Sequence, residues 1–532
     1  MSPHRFTRRE IISLAGKAAL VGALAPRLAR GAEENSAQAF GAVVGDPIAA
    51  KIGETILKDG GNAIDAAIAA AFAAGICTAR NSGIGGYGGH AMIALTGGKK
   101  ITAIDFNSAA PAAARADMFP LDTQGRVVGN ANTFGWLAAG VPGVAAGLDL
   151  ALQRYGTRPL RDVLAPAIQM CEEGRYAAAV KGIDDLAPAG PVPPEKRRNL
   201  ALAALLKTLA ARNSTESFYR GDIARTITTA FQSHGGLVTV EDLAAFRARE
   251  LEPLTLDWNG ARLHTVPLTS TGLLLLEACS ILKSLDWPKL SAPQRQHARL
   301  EALRIAWADR LRTFGDPEQV SVPVEKFLSP AYAGEQVEKI STALRAQQPV
   351  PLVVEPSNAG GTTNISATDR HGNMIAITVT HGGSFGSRAV VPELGMVLGH
   401  GMSRFDPRPG RPNSVGPGKR PITNMCPTIV TRGGMPVLAV GGAGGTRIPN
   451  SVYEVLLNFV GLGASLDAAL AAPRVQTDGT LALGLDKAHS PADHAFFKKL
   501  GYTVARSPNA YVGAVTRDPM TGESRGAASG GA

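Results

Sequence analysis

The sequence predicts an α+β protein, because helix-patterned and strand-patterned text occupy different parts of the chain. From residue 142 to about 344 apolar side chains recur mainly at helical spacing, whereas the C-terminal part alternates short β-branched runs with glycines. At the junction, residues 358–380 place Gly360-Gly361 before Thr362-Thr363. Two strand-like runs, 363–368 and 375–380, then flank Asp369-Arg370-His371-Gly372-Asn373, which has the composition of a hairpin turn.

Taken alone, Gly-Gly-Thr-Thr reads as a loop entering a strand. A chain cut between Gly361 and Thr362 would instead give Thr362 a free α-amine beside its own hydroxyl. That amine could take the proton from Oγ without a histidine.

The elements follow in order. Residues 1–32 carry Arg5, Arg8, Arg9, Lys17, Arg27 and Arg30 against Glu10, then an apolar run 11–25 and small residues at 29–31. This is the layout of an export signal, and Thr7-Arg8-Arg9-Glu10-Ile11-Ile12 resembles the twin-arginine type, which implies a periplasmic or secreted protein. The run is too short to span a bilayer, and no later run is apolar enough, so stable membrane insertion is not expected. Half of the formal charge of +10 lies in this leader. With no block of like charge and 5% aromatic residues, nucleic-acid binding is not expected either.

Residues 47–74 read as two packed helices separated by Gly60-Gly61-Asn62, which supplies a stop and the next cap. Gly83-Ile84-Gly85-Gly86-Tyr87-Gly88 matches GxGxxG in form. It follows a helix and precedes a strand, the reverse of a dinucleotide site. Strands are expected at 91–95 and 101–106, and helices at 143–155, 160–173, 201–211, 222–234, 240–246, 274–285 and 293–314. In the last helix, His297, Glu301, Asp309 and Arg310 read as caps and salt bridges. Three prolines in 346–361 mark an exposed linker.

Further strands are expected at 396–398, 428–431, 437–440 and 512–516, with a helix at 452–460. Gly441-Gly442-Ala443-Gly444-Gly445 would present bare backbone N–H groups ahead of that helix. Such a turn suits an oxyanion, although it also reads as a tight connection. Gly382-Gly383-Ser384-Phe385-Gly386 matches GxSxG but lacks the helix a nucleophile elbow needs. The four cysteines form no CxxC pair and the histidines no HExxH; His371, His381 and His400 read as turn or surface residues. No metal or other cofactor is called for.

With these pieces in place, the chain resembles the γ-glutamyltransferase (glutathione hydrolase) family of N-terminal-nucleophile hydrolases over nearly its whole length after the leader. The carriers are Gly45-Asp46-Pro47, Gly60-Gly61-Asn62-Ala63-Ile64-Asp65-Ala66-Ala67, Ser82-Gly83-Ile84-Gly85-Gly86 and Ala103-Ile104-Asp105-Phe106. They continue through Phe218-Tyr219-Arg220-Gly221-Asp222, Ala308-Asp309-Arg310, Gly315-Asp316-Pro317, Thr362-Thr363, Val415 to Pro421 and Met425-Cys426-Pro427-Thr428.

The resemblance implies an αββα four-layer sandwich cut from one precursor into a large subunit (33–361) and a small catalytic subunit (362–532) that stay together as a heterodimer. Thr362 would attack the amide carbonyl of a small-molecule substrate and hold its acyl group as an ester, which passes to water or an amine. Thr380 matches the threonine that orients the nucleophile. Gly444 and Gly445 match the oxyanion hole.

The sequence departs from the family pattern where substrate is held. The family's arginine for the γ-glutamyl α-carboxylate aligns with Asn107, and its aspartate for the α-amino group with Arg404. The usual serine pair is Thr423-Asn424, and the asparagine two residues after Thr380 is Gly382. Both charge pairs for a zwitterionic head group are thereby removed. Arg404 could instead hold a carboxylate, as for an oxamate-type amide or an acylase-type acyl group, and the short segment 405–420 leaves room for bulkier amides. The competing expectations are a true glutathione hydrolase anchored by other residues, and an inactive binding or scaffold relative.

Overall fold

The computed structural model describes residues 40–95, 98–176, 197–285, 287–354 and 361–530. The export signal and part of the linker, 355–360, lie outside the described residues.

Two six-stranded sheets pack face to face between helices. The first runs in the order Gly41–Val44, Gly361–Asp369, Met374–Gly382, Gly88–Ala94, Ile101–Asp105, Arg249–Leu251. The second runs Ser524–Ser529, Tyr511–Arg517, Met435–Ala443, Thr428–Arg432, Ala261–Thr265, Leu254–Trp258. Every pairing within these two sheets is antiparallel.

Strand alternation builds the layers. Along the hairpin, Ile365, Ala367, Ile375, Ile377 and Val379 face a core shared with helices such as Ala63–Cys77 and Val144–Tyr155, while Met374 and Ala376 turn toward the second sheet with Ile429, Ala439 and Val515. The outer face of the second sheet is covered by Gly272–Ser284 and Arg447–Leu456, with Ala292–Thr313 packed on the first of them. This gives the αββα order of layers.

Helix Ala63–Cys77 is alanine-rich and buried on every side, which allows it to lie close against the sheet. Asn62 caps it in a reciprocal box with Asp65. The same helix anchors the hairpin, because the Asp369 carboxylate accepts from Ala63 N (3.0 Å), His371 N (2.9 Å), Asn373 N (3.0 Å) and Asn373 Nδ2 (2.7 Å). Gly372, at φ +81°, closes the turn in the left-handed region.

Several expectations change. The expected helix at 452–460 is Arg447–Leu456, followed by a π-helical turn Leu457–Gly461. Within the helical text lie strands Leu254–Trp258 and Ala261–Thr265, joined by Asn259-Gly260 with φ of 47° and 71°. An Asn-Gly pair between strand-like runs is a strong hairpin signal, and it outweighs the helical surroundings. His381 and His400 are not surface residues: they are 1% and 3% exposed, His381 packed against Gly83 and His400 against Gly382-Gly383. Among the described residues no cluster of His, Cys, Asp or Glu could hold a metal ion, and no helix is long and apolar enough to cross a membrane.

Candidate active site

Thr362 sits one residue into its strand, at a bulge. Gly361 pairs with Gly382 and Thr363 with Val379, so Thr380 and His381 together oppose Thr362. The bulge brings the two threonine hydroxyls together: Thr362 Oγ1 lies 3.4 Å from Thr380 Oγ1, which also accepts Gly382 N–H at 2.7 Å. Thr363 turns the other way and accepts from Ser82 Oγ at 3.2 Å.

The second sheet supplies the glycine turn. Gly441, on the strand that ends at Ala443, lies so close to the hairpin that a Cβ there would stand 2.1 Å from Asn364 Oδ1. Gly444 and Gly445 follow at φ +141° and +68°, conformations that suit glycine, and their N–H groups have no acceptor among the described residues.

A cavity of about 730 Å³ lies between helix Ala292–Thr313 and the 403–413 segment. Pro351–Val354 form part of its wall, and this is the chain that leads to Gly361. Arg310, Ser403, Arg404 and Asn424 line it as well. Asn107 and Thr423 do not. Asn107 is fully buried, with Nδ2 donating to Thr269 Oγ1 (2.9 Å) and Pro421 O (2.5 Å), and the Thr423 hydroxyl donates to Thr269 O at 3.4 Å. Asn107 N also donates to Asp105 (2.8 Å). Burial opposes the charge on Asp105, but His90 and the cations Arg420 and Arg249 hold its carboxyl far below the usual range.

The residues that sequence reasoning passed over are Arg310, Ser403 and His400. Arg310 reads as one more charge on a charged helix, yet it is 8% exposed, and its Nη2 donates to Asn424 Oδ1 (2.8 Å) and Thr423 O (3.3 Å). Burial, then the charge of Arg404, lowers its pKa to about 9. Ser403 Oγ contacts His400 Nδ1 at 2.7 Å and accepts from Arg404 Nε (3.2 Å) and Nη2 (3.0 Å). Burial and then Arg404 lower His400 to about 3, so its ring is neutral.

His400 also accounts for Gly382. A Cβ at 382 would stand 2.4 Å from the imidazole, at a φ of +100°. The ring fills the space an asparagine side chain would need.

The family described as Gamma-glutamyltranspeptidase matches residues 49–180 and 189–530. The chain belongs to this family. It is 35% identical to the glutathione hydrolase proenzyme of Escherichia coli (strain K12), with 81% of this chain and 79% of that one covered. It is 34% identical to the Acylase ACY 1 proenzyme of Pseudomonas sp. (strain V22), covering 88% and 87%. Among solved structures, the cephalosporin acylase from Bacillus halodurans superposes with a TM-score of 0.80 at 27% identity, covering 94% of this chain and 95% of that one.

Proposed function

We propose that this member of the family is a self-processing N-terminal-threonine amidohydrolase and acyltransferase. The observation that carries the reading is the bulge that sets Thr362 Oγ1 against Thr380 Oγ1 directly after Gly361.

In the precursor, Thr362 Oγ attacks the Gly361 carbonyl carbon and the peptide becomes an ester. Water hydrolyses that ester, leaving a Gly361 carboxylate and a free Thr362 α-amine. In the mature enzyme the amine takes the proton from Oγ as it adds to the substrate amide carbon. Gly444 and Gly445 N–H groups receive the oxyanion. The leaving amine departs with the proton, and water or another amine then opens the acyl ester.

The two fragments, 33–361 and 362–532, stay together because both contribute hydrogen-bonded strands to each of the two sheets. Residues 1–32 direct the protein out of the cytoplasm.

The cationic Arg404 at the cavity favours an acylase-type or oxamate-type amide over a γ-glutamyl one. Release of p-nitroaniline from γ-glutamyl, glutaryl and phenylacetyl anilides tests the proposal. Wild type turns over at least one of them and Thr362→Ala none. A wild-type protein inert toward all three, and toward oxamate, would leave the scaffold reading in its place.

A further inference from the structure

Thr380 is held against Thr362 by residues that have little stiffness of their own. Gly382 and Gly383 carry no side chains, Gly382 sits at φ +100°, and its N–H is the group that binds Thr380 Oγ1. Gly361 pairs with Gly382 across the bulge, so a shift at 382 reaches both Thr380 and the Gly361–Thr362 bond.

His400 grips this segment at two points. Its backbone N–H donates to His381 O at 2.8 Å, and its buried ring lies against 382 and 383. Cβ atoms at Gly382 and Gly383 would stand 2.4 and 3.0 Å from Nε2. Nε2 has no hydrogen-bond partner among the described residues, so this edge of the ring acts by contact. The other edge is anchored, with Nδ1 2.7 Å from Ser403 Oγ. Arg404 donates to the same oxygen through Nε and Nη2, which leaves the hydroxyl proton for Nδ1 or for His400 O at 2.9 Å.

We propose that His400 is a positioning residue for Thr362: its ring, packed on Gly382-Gly383, holds the 380–383 segment in the conformation that keeps Thr380 Oγ1 against Thr362 Oγ1. This rests on the acyl-transfer reading and gives the ring a role in packing, with no proton transfer. Burial and then Arg404 keep the imidazole neutral, so an uncharged ring of similar size can replace it. In His400→Phe the Ser403 hydroxyl still has the residue 400 carbonyl to donate to, and Nε2 gives up no hydrogen bond.

The test is a size series at position 400. It reads kcat and KM for whichever of the γ-glutamyl, glutaryl and phenylacetyl anilides wild type turns over fastest, self-cleavage time courses, and hydrogen exchange of peptides covering 380–383. His400→Ala should lower kcat and the self-cleavage rate by roughly tenfold to a hundredfold, with KM changed less than about threefold. His400→Leu should lose less, and His400→Phe should recover most of the rate. Exchange at 380–383 should rise as the side chain shrinks. With Thr380→Ala already present, His400→Ala should cost less than about threefold more, because both substitutions act on one contact.

Equal losses in His400→Phe and His400→Ala would overturn the packing role in favour of imidazole chemistry. A fully additive loss in the Thr380→Ala background would overturn action through Thr380. Unchanged exchange at 380–383, or raised exchange beside unchanged rates, would overturn the proposal as a whole. If His400→Ala does not fold, His400→Leu against His400→Phe carries the same ranking. If wild type neither cuts itself nor turns over an anilide, the acyl-transfer reading falls, and the exchange series alone decides whether His400 holds the segment.

Discussion

Thr380 is the residue on which Thr362 depends most directly. Its Oγ1 stands 3.4 Å from Thr362 Oγ1 and is itself held by Gly382 N–H. Thr380→Ala should slow both self-cleavage and turnover by roughly tenfold to a hundredfold, as expected for losing one hydrogen-bond partner in a desolvated site, whereas Thr380→Ser should keep most of the rate. Time courses on denaturing gels and kcat for an anilide read the two effects separately.

A second residue, Glu277, behaves unlike an ordinary acid. Burial first, and then the neighbouring Asp309 charge, push its carboxyl well above the usual range. The folded protein therefore holds a proton that the unfolded chain releases near the ordinary glutamate value. The stability this group contributes is present at low pH and is lost as pH rises toward the folded value. Melting temperature should fall between about pH 5 and 8 in wild type and fall less in Glu277→Gln, which carries no ionisable proton. Equal slopes for the two proteins would contradict the assignment.

At the scale of elements, the hairpin is held from two sides, by the Asp369 carboxylate on helix Ala63–Cys77 and by the close approach of the second sheet at Gly441. Asp369→Ala leaves several N–H groups of the turn without an acceptor, and roughly 2–4 kcal/mol of unfolding free energy should be lost in urea titrations. Gly441→Ala forces a methyl into Asn364, two residues from Thr362. About 1–3 kcal/mol of stability should go with it, and self-cleavage should slow measurably.

These elements were unequally legible in the sequence. The hairpin could be read because its alternation and turn composition are local, and Gly60-Gly61-Asn62 spelled out the stop and the cap of the next helix. The Asn259-Gly260 hairpin was missed because a local signal was outvoted by helical text on both sides. Arg310 and His400 were misread for a different reason. Side chains that line a cavity or fill the space beside Gly382 are defined by neighbours far along the chain, and a one-dimensional pattern reports a charged helix face or a loop histidine.

At the scale of the molecule, the threonine pair and the cavity are built by different parts of the fold. The two sheets bring Thr362, Thr380 and the Gly444-Gly445 turn toward one edge, whereas the cavity is walled by helix Ala292–Thr313, the 403–413 segment and the chain entering Gly361.

The central claim is that Thr362 becomes a chain terminus and a nucleophile. Intact-mass measurement of the purified protein under denaturing conditions tests it most directly. Wild type should give two species, the smaller one of 171 residues beginning at Thr362, and Thr362→Ala a single uncut chain. A wild-type chain that stays whole, or that is cut anywhere other than Gly361–Thr362, would contradict the account.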